Sequence, residues 1–288
     1  MGTPAWIPAA DARAFEVTGK DARDFLHRML TQDVKGIAAG SGRPALLLTV
    51  RGRVVGDPFV WNLGDRLVLV LDAKAAEATI PALERYVIAD DVTFRDATGE
   101  WADGLVAGEG DFPAMDGVFM AAQRPGAPTI RRVLARAPSE RALEDVLRGL
   151  GARELEGTAL RAWRVEVGLP AFGAELDDRV LPGEAGLDAW ISWTKGCYLG
   201  QEPVVMAKHR GHPPTRLVRL DIAGNDVPER DAELLEGTKA VGRITTAARS
   251  ADGTRVRAMG FVRYDLATPG RALTLSGRSA TITALLAT

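Results

Sequence analysis

The chain has 288 residues, 46% hydrophobic and 26% charged, with a formal net charge of −2. That length exceeds one ordinary core and predicts two domains or three small ones, and a near-neutral balance points to neither nucleic acid nor an anionic membrane surface. The most apolar short run, Ala45–Val50, falls far short of the ~20 residues that cross a bilayer. No basic leader opens the chain, so a soluble, cytoplasmic protein is expected. A lone cysteine, Cys197, excludes an internal disulfide. It also cannot build a zinc or iron-sulfur site by itself, since such sites take about four ligands. No metal site is expected, and any cluster must be shared with a partner or belong to it.

In chain order, Thr18 and Asp21 resemble a cap, and Ala22, Phe25, Leu26, Met29 and Leu30 recur at helical spacing, predicting a helix over roughly 19–31. Ala45–Val50, Arg53–Trp61 and Arg66–Leu71 read as strands of an antiparallel meander, separated by turns at Arg51-Gly52 and Asn62–Asp65. Asp72 caps a second helix to about Val87, which Pro81 should kink or interrupt because proline has no amide donor. Val92–Arg95 resumes the sheet. Ser139 caps a third amphipathic helix through Ala142, Leu143, Val146, Leu147 and Leu150.

Strands followed by a helix occur twice, predicting an α+β class with two units that carry helices on one face of an antiparallel sheet. From Arg216 onward short β-type runs at 216–222, 240–248, 254–264 and 271–286 are punctuated by glycine and proline, predicting a small C-terminal β-barrel. Gly211-His212-Pro213-Pro214 is the expected hinge, giving three regions, 1–96, 97–213 and 214–288.

Lys195-Gly196-Cys197-Tyr198-Leu199-Gly200-Gln201-Glu202 packs an amine, thiol, phenol, amide and carboxylate between glycines. This is poor core material. A neighbouring lysine favours a thiolate, which makes a reactive Cys197 chemically reasonable; the alternative is a small buried hydrophobe in a turn. The octapeptide resembles the K-G-C-Y-x-G-Q-E signature of the YgfZ-type folate-binding proteins, with Trp193-Thr194 and Lys208 flanking it compatibly. Leu30-Thr31-Gln32-Asp33-Val34 and Arg51-Gly52-Arg53-Val54 look like sheet-edge motifs of the same family. Arg164-Val165-Glu166-Val167-Gly168-Leu169-Pro170 resembles the R-x-E-x-G-x-P segment shared with the glycine-cleavage aminomethyltransferase, and Val241–Thr245 resembles its barrel. The likeness covers about four fifths of the chain and is weakest over 97–150.

The resemblance implies two ferredoxin-like units and a barrel in a cloverleaf, binding tetrahydrofolate or a derivative. A reduced folate asks for flat walls, a carboxylate and a cation; Trp193, Tyr198, Gln201, Glu166, Arg164 and Lys195 are the candidates. For Arg164 and Glu166 a structural ion pair is the competing reading. Asp57, in Gly56-Asp57-Pro58, matches the transferase position whose carboxylate assists one-carbon transfer; otherwise it is a surface residue before a strand-edge proline. No counterpart of the transferase G-Y-T-G-E segment is found, which favours the YgfZ-type reading. Pro203 departs from both patterns and is expected to disturb the backbone after Glu202.

The implied function is an accessory protein for iron-sulfur cluster assembly or repair, with tRNA-modifying proteins among possible clients. Cys197 would act toward a cluster, a partner or a one-carbon adduct, and Lys195 would lower its pKa or hold the folate tail. Two alternatives stand beside it: a folate-dependent aminomethyltransferase or demethylase centred on Asp57, and a partner-binding scaffold. The basic cluster Lys208, His209, Arg210, His212, Arg216 and Arg219 lacks interleaved aromatics, so nucleic acid is not an expected partner. The expected partners are a reduced folate and iron-sulfur assembly or client proteins, and the expected state is a monomer.

Overall fold

The computed structural model describes residues 4–109, 112–124, 127–136, 139–250 and 252–286. They form two compact units that interleave along the sequence. Unit 1 holds the residues through Val50, Val55–Leu155 and Ala189–Gln201; unit 2 holds Arg51–Val54, Glu156–Asp188 and Glu202 onward.

Unit 1 contains two five-stranded sheets. In the first, Ser41–Pro44, Phe59–Asn62, Leu67–Asp72, Ala12–Thr18 and Thr93–Asp96 lie side by side, all antiparallel. Helix α1 (Ala22–Met29) turns Ala22, Phe25, Leu26 and Met29 inward, as their spacing predicts. It starts later than Thr18, which ends a strand, and the Asp21 carboxylate accepts from the Asp91 amide (2.8 Å) instead of capping α1. Helix α2 (Ala73–Glu84) is capped by Asp72, whose side chain accepts from the Lys74 amide. It runs through Pro81 without ending there: the carbonyl that proline leaves unpaired belongs to Glu77, which is exposed and can be met by water.

The expected strand Ala45–Val50 shortens to Leu47–Leu48, and a separate strand, Ser41–Pro44, precedes it. Between them the Leu46 amide leaves the ladder and donates to the Thr31 hydroxyl.

The second sheet orders Val118–Arg124, Ala127–Arg136, Trp101–Ala107, Ala5–Pro8 and Arg153–Glu154. Helix α3 (Ser139–Gly149) buries Leu143 and Leu147 against Val106, Val133 and Ala135. The two sheets share a core of Phe59, Trp61, Val68 and Val70 with Trp101 and Leu134, and Phe119 packs against it. Phe59 and Trp61 sit 5.0 Å apart, and Phe119 lies 6.4 Å from both Trp61 and Trp101. Full burial of such large side chains contributes ~1.5–3 kcal/mol each, making this the main adhesive between the sheets.

Unit 2 carries α4 (Gly157–Val167), α5 (Gln201–Arg210) and a closed six-stranded barrel. Gly168 ends α4 in the left-handed region at φ 65°, and a Cβ there would meet the Leu286 side chain at 2.5 Å. Pro203 does not disturb α5: it is the third residue of the helix, where the amide has no intrahelical acceptor to lose. The barrel strands run in the order Thr215–Ile222, Val256–Arg263, Lys239–Arg249, Glu233–Glu236, Ala272–Leu275 and Arg278–Leu285. The expected run 271–286 is a hairpin, and Glu233–Glu236 is a strand that carries no β-type pattern of its own.

Candidate functional site

The signature segment is irregular backbone laid along the end of α1. The Thr31 hydroxyl donates to the Trp190 carbonyl (2.8 Å), the Ser192 amide to Thr31 O (3.0 Å) and the Leu199 amide to Arg28 O (3.1 Å). Lys195 Nζ donates to the carbonyls of Leu30 (2.6 Å), Gln32 (2.9 Å) and His27. His27 O is one of the terminal helix carbonyls left without an amide partner, at the negative end of the α1 dipole. Burial pushes the Lys195 ammonium down to about 8, with the Asp33 charge acting the other way, so it keeps its proton at pH 7. An ammonium has three donors, and here all three are engaged. Leu30–Val34 is the loop that follows α1; its first residue bridges Leu47 at the edge of the short Leu47–Leu48 strand, and the carbonyls of Leu30 and Gln32 help build this seat.

Between these anchors Cys197 is exposed, which removes the reading of a buried apolar filler. Tyr198 turns inward to 6% exposure with its ring 5.2 Å from Lys195 Nζ. Burial raises the phenol to about 12, and its hydroxyl has no hydrogen-bond partner among the described residues. The Trp190 Nε1 donor is buried in the same state. Trp193 is exposed at 36%. Gln201, half-buried, opens α5 after Gly200 (φ 76°), its amide donating to Tyr198 O (3.2 Å). His27 Nδ1 lies 3.2 Å from Asp33 Oδ1; burial, then the Lys195 charge, hold the imidazole below its usual range.

Asp57 is half-buried, between Val54–Gly56 and Pro58. Its charge helps hold the proton on Arg132, whose guanidinium makes a two-pronged pair with Asp103 (2.8 and 2.6 Å) and lies over the Phe59 ring. Burial raises the Asp103 carboxyl against the pull of Arg132. Trp61 Nε1, in the aromatic core, has no partner among the described residues.

In unit 2, Arg164 and Glu166 do not pair with each other. Arg164 on α4 donates to Glu175 Oε2 (2.7 Å) and to Leu169 O. Glu175, 1% exposed, also accepts from the Ala171 amide (3.0 Å) and the Thr246 hydroxyl (2.5 Å). Glu166 pairs with Arg257, and its carbonyl accepts from Arg219. Glu184, another buried carboxylate that the sequence did not mark, holds Arg53 (3.2 Å), the Leu181 amide and the Thr215 hydroxyl. The basic cluster is dispersed: Lys208 lies 3.8 Å from Asp188, and His212 stacks on Tyr264 with Arg216 near the same ring. The Arg210 side chain lies outside the described residues. Among those residues no group of three or more His, Cys, Asp or Glu could hold a metal ion, and no helix is long and apolar enough to cross a membrane.

Residues 8–110 match the GCVT N-terminal domain model. An aminomethyltransferase of Halalkalibacterium halodurans is 26% identical over 273 residues, covering 82% of this chain and 72% of the relative. The iron-sulfur cluster assembly factor IBA57 homolog, mitochondrial, of Phaeosphaeria nodorum is 29% identical over 211 residues; the match takes in 68% of this chain but half of that protein. In structure, the glycine cleavage system aminomethyltransferase T from Bartonella henselae superposes with a TM-score of 0.81 at 18% identity, over 98% of this chain and 86% of the other, which establishes a shared fold. The family model, the relatives and the fold point the same way: the chain is similar to proteins of the GcvT superfamily and shares their fold.

Proposed function

We propose that this protein is a YgfZ-type, folate-binding accessory factor for iron-sulfur cluster assembly or repair, working through Cys197 in the cytoplasm. The observation that carries this reading is the exposed thiol in irregular backbone whose neighbours on both sides are anchored. Likeness to a named assembly factor over 68% of the chain supports it. A segment built this way presents its thiol to a protein partner rather than spending it on packing.

The residues present fit a reduced folate. Tyr198, Trp190 and Trp61 each keep a buried polar hydrogen with no partner among the described residues, and the Phe59 ring lies 5.0 Å from Trp61; a planar ligand with a polar edge can use such groups. When bound, a reduced folate supplies a carrier for one-carbon units. Tyr198, neutral at any physiological pH, would donate to it, and Asp57 would offer the carboxylate. Arg164 and Glu166 hold the segment after α4 through Glu175 and Arg257.

The test is a titration with tetrahydrofolate and its formyl derivative, followed by quenching of the six tryptophans. Saturable binding, weakened about tenfold in Tyr198→Phe, is expected, the ~1.4 kcal/mol of one hydrogen bond. Absence of binding up to about millimolar ligand, weaker than roughly −4 kcal/mol, would remove folate from the account.

A second reading, aminomethyl transfer, is favoured by the Asp57 carboxylate set near a buried Arg–Asp pair and by relatives named aminomethyltransferase. It requires turnover of an aminomethyl donor to methylene-folate that Asp57→Asn abolishes.

A further inference from the structure

We propose that Lys195 is the positioning residue for Cys197: seated on the His27 carbonyl in the last turn of α1 and on the Leu30 and Gln32 carbonyls just beyond it, its side chain fixes the segment that carries the thiol. The proposal rests on Cys197 being the working group, but its geometry stands apart from that reading. Cys197 lies between two anchors four residues apart. One is the Lys195 ammonium on His27 O, Leu30 O and Gln32 O; the other is the Leu199 amide on Arg28 O. Both therefore grip the last turn of α1 and the residues just beyond it.

Between the anchors Tyr198, next to Cys197, adds a third hold by turning its ring inward. Gly196 and Cys197 are exposed, and a Cβ on Gly196 would meet no atom within 4 Å. Gly196 and Cys197 are thus held from the residues on either side of them. The seat is built for a cation: helix-terminal carbonyls point their negative ends at it, Asp33 acts favourably from beyond it, and the Tyr198 ring lies 5.2 Å away. With its donors filled by backbone oxygens, Lys195 has none to spare for a ligand carboxylate. Its effect on the thiol is geometric, transmitted through two peptide units.

Amide hydrogen exchange, read residue by residue by NMR, tests this directly. In Lys195→Met the Leu199 amide should exchange about tenfold faster than in the parent, the tenfold that ~1.4 kcal/mol of local opening represents. Ser192 should follow less strongly, and barrel strand Thr215–Ile222 should keep its parental rates. A fluorine label on Cys197, the sole cysteine, should give a narrower line in Lys195→Met because the segment moves more freely. Lys195→Gln, which restores N–H donors without the charge, should fall between the two. Parental exchange at Leu199 in Lys195→Met, or acceleration spread equally over the barrel, would overturn the proposal. If Lys195→Met fails to fold, Lys195→Gln decides: parental rates at Leu199 would contradict it and intermediate rates support it. Loss of folate binding or of any iron-sulfur role would leave these rates untouched, so the two readings fail separately.

Discussion

The two polar motifs of this chain, Arg164–Pro170 and Lys195–Glu202, are built in opposite ways. In the first, the charges are spent: Arg164 is locked to a carboxylate, Glu175, that accepts from three donors, and Glu166 is matched by Arg257. In the second, only Lys195 is spent, and the thiol of Cys197 and hydroxyl of Tyr198 remain available. Saturated polar groups hold a fold together, whereas unsatisfied or exposed ones are where a ligand or partner can still gain free energy. The lesson is that a motif's residue types do not reveal which of its members act; their hydrogen-bond inventory does.

Substitutions in the two segments should therefore part ways, and the largest effect belongs to the saturated one. Glu175→Ala leaves the partly buried Arg164, the Ala171 amide and the Thr246 hydroxyl without their carboxylate and should cost about 3 kcal/mol, read as a lower urea midpoint, with Arg164→Ala, which strands the buried Glu175, of similar size and the pair strongly non-additive. A change under ~1 kcal/mol would mean that water replaces the pair and that the first segment is not structural. Tyr198→Phe removes a hydroxyl that bonds no group among the described residues, so its urea midpoint should stay within about 1 kcal/mol of the parent even as folate affinity drops. A large loss of stability would show that the hydroxyl is already spent and dissolve the contrast. Smallest of all, Glu166→Gln weakens a half-exposed pair with Arg257 and should shift stability by no more than ~1 kcal/mol.

Local signals were legible in the sequence and long-range ones were not. Asp72 announces α2 because a cap acts two residues away, and the four-residue spacing of Leu143 and Leu147 marks α3, which buries both. The barrel's glycine-punctuated runs were readable because hairpins join neighbours in sequence. Helix α5 escaped notice because Pro203 reads as a breaker until its place in the first turn is known. Glu233–Glu236 is too short to show alternation.

At the site, the adjacent chemistry of Lys195, Cys197 and Tyr198 was visible, but the role of Lys195 was not. Its acceptors are backbone carbonyls 163 to 168 residues away, and no side-chain pattern encodes a carbonyl. Glu175 was missed for a related reason, since its Thr246 partner lies 71 residues along the chain.

The central claim, that an anchored segment presents Cys197 as the working group of an iron-sulfur accessory factor, is tested most directly in cells lacking this protein. Parent and Cys197→Ala are each returned at equal abundance, and the activity of iron-sulfur enzymes is measured. Because the thiol is exposed, the variant should fold and accumulate like the parent yet fail to restore those activities. Full restoration by Cys197→Ala would contradict the account.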